Sequence, residues 1–274
     1  MNTAHRRPGP IGIFDSGIGG LSVMRAVRAL LPQADLVYVA DSAHAPYGER
    51  TPEFIAERTL RIGAWLERLG AQALTLACNT ATAVAVRELR ASTPLPVVAI
   101  EPAIKPAVAA TRSGVVGVLA TTRTVRSASV ERLCREYGGS ARILLQACPG
   151  LAEQVERADL DGPKTLALLR QYLEPLLEQG ADTLVLGCTH YPFLASTIRA
   201  LTGDDVTLID PAQPVARELA RRLGQTASPA AQAAGSVLFF TSGDPALVAP
   251  VIRRLWPEPA AVEALPMLES NAPR

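Results

Sequence analysis

Residues 180–192 read GADTLVLGCTHYP, and a near-copy upstream, at residues 70–80, reads GAQALTLACNT. Both segments carry a Gly-Ala pair, a short apolar run and then a cysteine, and the two cysteines, Cys78 and Cys188, lie 110 residues apart. An apolar run of this length, bounded by glycine, predicts a buried strand. Each half of the chain is therefore predicted to present one cysteine at the carboxyl end of a strand.

Three further strand-like segments recur in the same order. The matched pairs are residues 9–14 with 114–119, 36–38 with 143–145, and 98–102 with 207–211, at offsets between 105 and 110 residues. Helical patterns such as that of residues 51–69 separate the strands, and such alternation is typical of parallel sheets joined by right-handed crossovers. The sequence therefore predicts an α/β fold of two pseudo-symmetric parallel-sheet α/β domains that arose by internal duplication.

A chain of 274 residues has room for two domains of ordinary size. We expect a first α/β domain at residues 1–100 and a second at residues 101–209. The remainder, residues 210–274, has no counterpart in the repeat. It predicts a helix through Leu223, an Ala-rich loop, a strand at 237–240 and a helix at 245–255.

Composition excludes several classes of function. The formal charge is +1 and no block of Lys and Arg is present, which argues against a nucleic-acid partner. No apolar run is as long as a membrane span, and the basic N-terminal residues, expected to form a frayed tail, precede no apolar signal segment. The four cysteines include no CxxC pair, so we expect thiols in a reducing cytoplasm, with Cys134 and Cys148 as buried structural residues.

No cofactor is indicated. Three histidines, His5, His44 and His190, supply a metal site poorly, and neither of the two lysines is placed like a Schiff-base lysine. The glycine-rich turn at residues 17–20 lacks the spacing of a dinucleotide or phosphate-binding loop. We therefore expect neither a metal nor an organic cofactor.

Two residues near predicted strand ends, one acidic and one aromatic, each allow two interpretations. Asp15 is either an ordinary helix N-cap or a site residue. Tyr47 either packs within its loop or faces a ligand at the edge where the strand ends converge. We expect His44, in the same loop, to be a surface residue.

Two cysteines at equivalent strand ends favour one kind of chemistry. Ligands bind beyond the carboxyl ends of parallel strands, so two facing domains would place Cys78 and Cys188 across one cleft, the predicted active site. A nucleophilic cysteine enzyme needs one thiol and one base, which leaves the second cysteine surplus. Inversion of a stereocentre, in contrast, needs a base on one face and an acid of the same kind on the other. Each thiol then needs a cationic, polar or basic neighbour to form its thiolate.

Four motifs together resemble those of the cofactor-independent glutamate racemases of the aspartate/glutamate racemase family. They are GIFDSGIGGLSV at 12–23, ADSAHAPYG at 40–48, LACNTATA at 76–83 and LGCTHYPFL at 186–194. The resemblance covers nearly the whole chain. It implies two pseudo-symmetric domains with the amino acid between them, a tail after about residue 210 that returns to the first domain, and D-glutamate supplied for peptidoglycan, and so for cell-wall biogenesis and cell shape.

The resemblance also implies roles for individual residues. Cys78 would be the base toward D-glutamate, assisted by Asp15. Cys188 would be the base toward L-glutamate, assisted by His190 and Glu156. Substrate contacts would come from Asp15, Ser16, Tyr47, Gly48, Asn79, Thr80, Thr189 and His190.

Other interpretations of the sequence differ in the substrate or in the class of protein. A racemase of the same superfamily that acts on aspartate or another amino acid remains the alternative. Single-cysteine relatives include decarboxylases, which the presence of both Cys78 and Cys188 disfavours. A two-lobed binding protein would need no cysteines at its strand ends. The expected partner is glutamate, with neither nucleic acid nor membrane, and the choice between monomer and homodimer is open.

Overall fold

The computed structural model describes residues 9–225, 234–259 and 261–268. The expected N-terminal tail, with His5, and most of the Ala-rich loop before residue 237 lie outside these ranges. Within the described residues, no helix combines the length and the apolar character that crossing a membrane requires.

Strands and helices alternate along the chain. The strands are β1 (Ile11–Asp15), β2 (Leu36–Ala40), β3 (Ala73–Leu76), β4 (Val97–Ala99), β5 (Val115–Ala120), β6 (Arg142–Ala147), β7 (Thr183–Leu186), β8 (Thr207–Ile209), β9 (Val237–Thr241) and β10 (Val262–Ala264). The helices are α1 (Leu21–Leu30), α2 (Pro52–Arg68), α3 (Asn79–Ser92), α4 (Ile104–Ala110), α5 (Thr122–Val125), α6 (Ala128–Tyr137), α7 (Leu151–Glu156), α8 (Pro163–Glu178), α9 (Ala195–Thr202), α10 (Ala212–Arg222) and α11 (Pro245–Leu255). Short 3-10 turns occupy Ser42–His44, Tyr47–Glu49 and Tyr191–Leu194.

The strands form two parallel sheets with the same internal order. The first sheet runs β10-β9-β2-β1-β3-β4 and the second β6-β5-β7-β8, so the order β2-β1-β3-β4 recurs as β6-β5-β7-β8. The predicted α/β fold with two parallel sheets is confirmed. The C-terminal strands β9 and β10 extend the first sheet, next to β2. This pairing supports the predicted return of the tail, while the domain boundaries near residues 100 and 209 stay a prediction.

Strand register reproduces the repeat residue by residue in three of the four strands. Gly12 in β1 pairs with Val37 and Leu74, and Gly117 in β5 pairs with Leu144 and Leu184. For the fourth strand the sheet pairs Leu74 with Val97 and Leu184 with Leu208, which makes Val97 and Leu208 equivalent. The sequence match of 98–102 with 207–211 differs from this equivalence by two residues. An even displacement keeps every side chain on its face of the sheet.

Each central strand carries a glycine where a helix approaches closely. A Cβ at Gly12 would lie 3.1 Å from Leu66 in α2 and 3.2 Å from Leu74. A Cβ at Gly117 would lie 2.9 Å from Leu176 in α8 and 2.7 Å from Leu184. All four leucines are buried, so they cannot swing out of the way. The duplication thus extends from the strands to the helix-on-sheet packing that positions the strand ends.

A methyl group added at these two glycines tests the shared packing. We expect Gly117→Ala to lower the free energy of unfolding by about 1–3 kcal/mol, the usual cost of overpacking a core. The change Gly12→Ala should cost less, because the nearest leucine atoms lie farther away. Urea unfolding of both variants measures the order. A larger loss for Gly12→Ala would contradict this account of the core.

Candidate active site

Cys78 lies at the junction between β3 and α3. Its side chain caps α3, with Sγ accepting a hydrogen bond from the Ala81 amide at 3.4 Å, and its thiol donates to Ser16 Oγ at 3.5 Å. The residue is 4% exposed. Burial, followed by the charge of nearby Asp15, raises the pKa of the Cys78 thiol above its ordinary value. Burial and Asp15 thus both favour the neutral thiol of Cys78 over its thiolate.

Cys188 occupies the equivalent place after β7, beside an imidazole. Its Sγ lies 3.6 Å from Nδ1 of His190, and Nε2 of the same ring lies 2.6 Å from Glu156 Oε1. Burial on its own would lower the pKa of His190, but the adjacent Cys188 and the Glu156 carboxylate raise it well above its ordinary value. His190 thus lies between the sulfur of Cys188 and the carboxylate of Glu156.

Asp15, the last residue of β1, lies where the two halves meet. It is fully buried, and its carboxylate accepts hydrogen bonds from the Ser16 amide at 2.6 Å, from the Gly20 amide, and from Thr189 Oγ1 at 3.1 Å. Burial raises the pKa of Asp15, and the nearby His190 opposes that rise. Asp15 is thus a fixed carboxylate rather than a simple cap, since one of its donors comes from the other half of the chain.

Both cysteines line a single cavity with an empty volume of about 260 Å³. Its walls are Ser16, Pro46, Tyr47, Gly48, Cys78, Asn79, Thr80, Thr121, Ala152, Cys188, Thr189 and His190. The structure therefore brings together every predicted site residue except Asp15 and Glu156, which lie behind Ser16 and His190. Cys134 and Cys148 are not among the lining residues, and Cys134 is half-buried rather than buried as expected.

Asn79 and Thr80 place polar atoms at this cavity. The side-chain oxygen and nitrogen of Asn79 are buried and have no hydrogen-bond partner among the described residues. Buried polar atoms of this kind are normally satisfied, so a ligand is expected to satisfy them. Thr80 Oγ1 lies 2.9 Å from Thr121 Oγ1, a contact between the two halves.

Thr121 is a lining residue that sequence reasoning missed. It directly follows β5, as Ser16 directly follows β1, and the register of the two strands makes the two residues equivalent. The repeat offset of 105 residues already matched these positions. Extending the strand match past the last apolar residue would have found Thr121. Pro46 and Ala152, also missed, have no comparable signal in the sequence.

The hydroxyl of Tyr47 is not free to hold a ligand. It donates to Asp41 Oδ2 at 2.5 Å, and Arg58 donates to both oxygens of the same carboxylate, at 2.9 Å and 2.6 Å. Tyr47 therefore lines the cavity with its ring while a buried ion pair fixes its hydroxyl. His44, expected at the surface, is instead half-buried and packs edge-on against Phe54 at 5.2 Å between ring centroids, because the loop folds back on α2.

Metal chemistry has no evident ligand set. Across residues 9–225, 234–259 and 261–268, no three His, Cys, Asp or Glu side chains are grouped so that they could hold a metal ion. The chemistry available at the cavity is therefore that of two thiols, one imidazole, two carboxylates and several hydroxyl groups.

Comparison with known proteins gives consistent matches. The family model of Asp/Glu/hydantoin racemases matches residues 20–219. The glutamate racemase of Stutzerimonas stutzeri is 50% identical over 258 residues, which cover 94% of this chain and 97% of that protein. The structure of a Bacillus anthracis glutamate racemase has a TM-score of 0.85 and 32% identity, covering 96% of this chain and 99% of that one. A structure of Escherichia coli glutamate racemase in complex with L-glutamate and the activator UDP-MurNAc-ala has a TM-score of 0.82 and 34% identity, covering 94% and 98%.

The buried Arg58–Asp41 ion pair, which fixes the Tyr47 hydroxyl, should contribute more to the free energy of unfolding than a surface ion pair does. Arg58→Met leaves fully buried Asp41 without its guanidinium, so we expect the free energy of unfolding to fall by about 3–5 kcal/mol. Arg61→Met is the matched control on the same helix, because Arg61 pairs with Glu57 at the surface and the loss should be about 0.3–0.5 kcal/mol. Urea unfolding compares the two variants. Equal losses would show that the Arg58 pair contributes no more than a surface pair.

Proposed function

Because the chain belongs to the Asp/Glu/hydantoin racemase family, we propose that it interconverts L-glutamate and D-glutamate without a cofactor. The observation that carries the proposal is a single cavity lined by Cys78 and Cys188, each from the equivalent strand end of one half. The S. stutzeri protein is a glutamate racemase at 50% identity, and the E. coli structure contains L-glutamate, which supports the choice of substrate.

The proposed reaction moves one proton at each face of the α-carbon. The Cys188 thiolate takes the α-proton of L-glutamate, and the bonding electron pair stays on the substrate as a carbanion. The Cys78 thiol gives its proton to the opposite face, which forms D-glutamate and leaves Cys78 as thiolate and Cys188 as thiol. The reverse reaction begins from that state, so the two residues exchange roles.

The two cysteines receive help of different kinds. His190 lies 3.6 Å from Cys188, where it can assist proton removal, and Glu156 holds the other side of the imidazole ring. Cys78 is a buried neutral thiol whose neighbours are Ser16 and Asp15. These neighbours support the assignment of proton removal from L-glutamate to Cys188, beside an imidazole, and of proton delivery to Cys78.

Substrate recognition is proposed to use the polar atoms of the cavity wall. The unpartnered amide group of Asn79 and the hydroxyls of Thr80 and Thr121 suit a carboxylate. The Asp15 carboxylate suits the ammonium group by its negative charge. It lies behind the cavity wall, where it accepts hydrogen bonds from the Ser16 amide and the Thr189 hydroxyl. The Tyr47 ring and Gly48 close the remaining side.

The proposed cellular role follows the family resemblance. D-glutamate made in the cytoplasm would enter peptidoglycan, and so serve cell-wall biogenesis and cell shape. The choice between monomer and homodimer stays open.

Loss of optical rotation tests the activity directly. After exhaustive dialysis against a chelator and with no cofactor added, the protein should racemise L-glutamate to an equal mixture. L-aspartate should react at least about tenfold more slowly, because one missing methylene lowers kcat/KM by about this factor in a pocket that fits the longer chain. A panel of other L-amino acids should also react more slowly than L-glutamate. Faster turnover of L-aspartate would identify the alternative racemase. No activity without added metal or pyridoxal phosphate would contradict the proposal.

Substitution of single cysteines tests the assignment of the two bases. Cys78→Ser and Cys188→Ser should each abolish racemisation, because a serine hydroxyl is a far weaker acid than a thiol and supplies almost no anion. Cys148→Ser is the matched control, since Cys148 is also buried but does not line the cavity. Turnover of L-glutamate and of D-glutamate is measured for each variant. A Cys148 variant as inactive as the other two would exclude the two-cysteine assignment.

A further inference from the structure

The loop that follows β1 reaches across into the second half of the chain. The Ile18 amide donates to Glu156 Oε1 at 2.8 Å, and the same oxygen lies 2.6 Å from His190 Nε2. One carboxylate oxygen is therefore shared between a backbone group of the first half and the imidazole ring of the second.

Two glycines flank Ile18 and touch the same pair of side chains. A Cβ at Gly17 would overlap the Glu156 carboxylate, and a Cβ at Gly19 would overlap the His190 ring at Nδ1, the atom that faces Cys188. Backbone alone fits at both positions. The loop thus forms the wall against which Glu156 and His190 rest.

The two cysteines differ in where their supporting groups come from. Cys78 bonds to Ser16 and to the Ala81 amide, and both belong to the first half, as does Asp15. Cys188 depends on His190 and Glu156, whose positions are limited by Gly17, Ile18 and Gly19 of the opposite half. The direct hydrogen-bond partners of Cys78 belong to one half, although Asp15 also accepts from Thr189 of the other half. The imidazole beside Cys188, in contrast, is held through Glu156 by a direct bond from the opposite half.

We propose that the backbone of residues 17–19 positions the Glu156–His190 pair against Cys188, so that the first half completes the surroundings of the cysteine in the second half. The proposal rests on the proposed function only in taking Cys188 as a base. Gly17, Ile18 and Gly19 are positioning residues, because they act through Glu156 and His190.

The same contacts lie across the cavity that holds both cysteines. Cys78 and Cys188 are 4% and 6% exposed, so an amino acid reaches them only when the walls part. Hydrogen bonds between the halves would then break, among them those of Ile18 with Glu156, Thr189 with Asp15, and Thr80 with Thr121. Parting would release Glu156 from Ile18 and also Asp15 from Thr189, so it would alter the surroundings of both cysteines.

Histidine NMR tests the positioning role without turnover. The chain has three histidines, so the ring signal of His190 is readily assigned, and His44 serves as an internal reference. In Gly19→Ala, the added methyl group should push the ring from Cys188, and the titration midpoint of His190 should shift down toward the ordinary value of about 6.5. Gly12→Ala, a methyl group added in the core, is the control and should leave the midpoint unchanged. An unchanged midpoint in folded Gly19→Ala would overturn the proposal.

Amide hydrogen exchange gives a second test that does not require Gly19→Ala to fold. In Glu156→Ala the Ile18 amide loses its acceptor, so its exchange should speed up by about tenfold or more. The Gly20 amide, bonded to Asp15, should exchange as in the wild-type chain. Equal exchange of Ile18 in both proteins would overturn the proposal. Neither readout depends on racemisation, so a failure here would leave the proposed function standing, and the loss of that function would leave these results unchanged.

Discussion

Two strands that each end in a cysteine serve a single reaction only if their carboxyl ends face one another. The structure meets this constraint by duplication, because β3 and β7 hold the same place in two sheets of the same order. The matched glycines Gly12 and Gly117 let a helix pack closely on the central strand of each sheet. The shared cavity, with both thiols buried in its walls, follows from that opposition.

The duplication preserves the order of the strands, but the residues that would assist proton transfer differ between the two halves. Asp15 corresponds by register to Ala120, and His190 corresponds to Thr80 at the 110-residue offset. The second half therefore has no acid at its first strand end and takes one from Glu156 in α7 instead. Each cysteine has a different set of neighbours, although a racemase must run in both directions with an equilibrium constant near one. In the proposed mechanism both thiols change protonation state in every turnover, so different neighbours can serve the same net reaction.

Much of the fold could be predicted from local pattern. Apolar runs bounded by glycine placed most strands within two residues, because a buried parallel strand is apolar on both faces. The strand β10 was missed because Glu263 stands at its centre and two of its three residues are exposed, so no apolar run marks it. The site was predictable where a motif ends a strand, as at Cys78 and Cys188. Contacts that join distant elements were not predictable, among them the Arg58–Asp41 pair that occupies the Tyr47 hydroxyl and the Ile18–Glu156 bond between the halves.

The central claim is that two thiols act on opposite faces of one α-carbon. The most direct measurement follows deuterium at that carbon early in the reaction of L-glutamate in heavy water, by proton NMR after separation of the enantiomers. Cys78 exchanges its thiol proton with solvent, so the D-glutamate formed should carry deuterium. The remaining L-glutamate should be almost unlabelled, because Cys188 returns the proton that it took. Equal labelling of both enantiomers from the start would mean that one base reaches both faces, which would contradict the opposed-cysteine account.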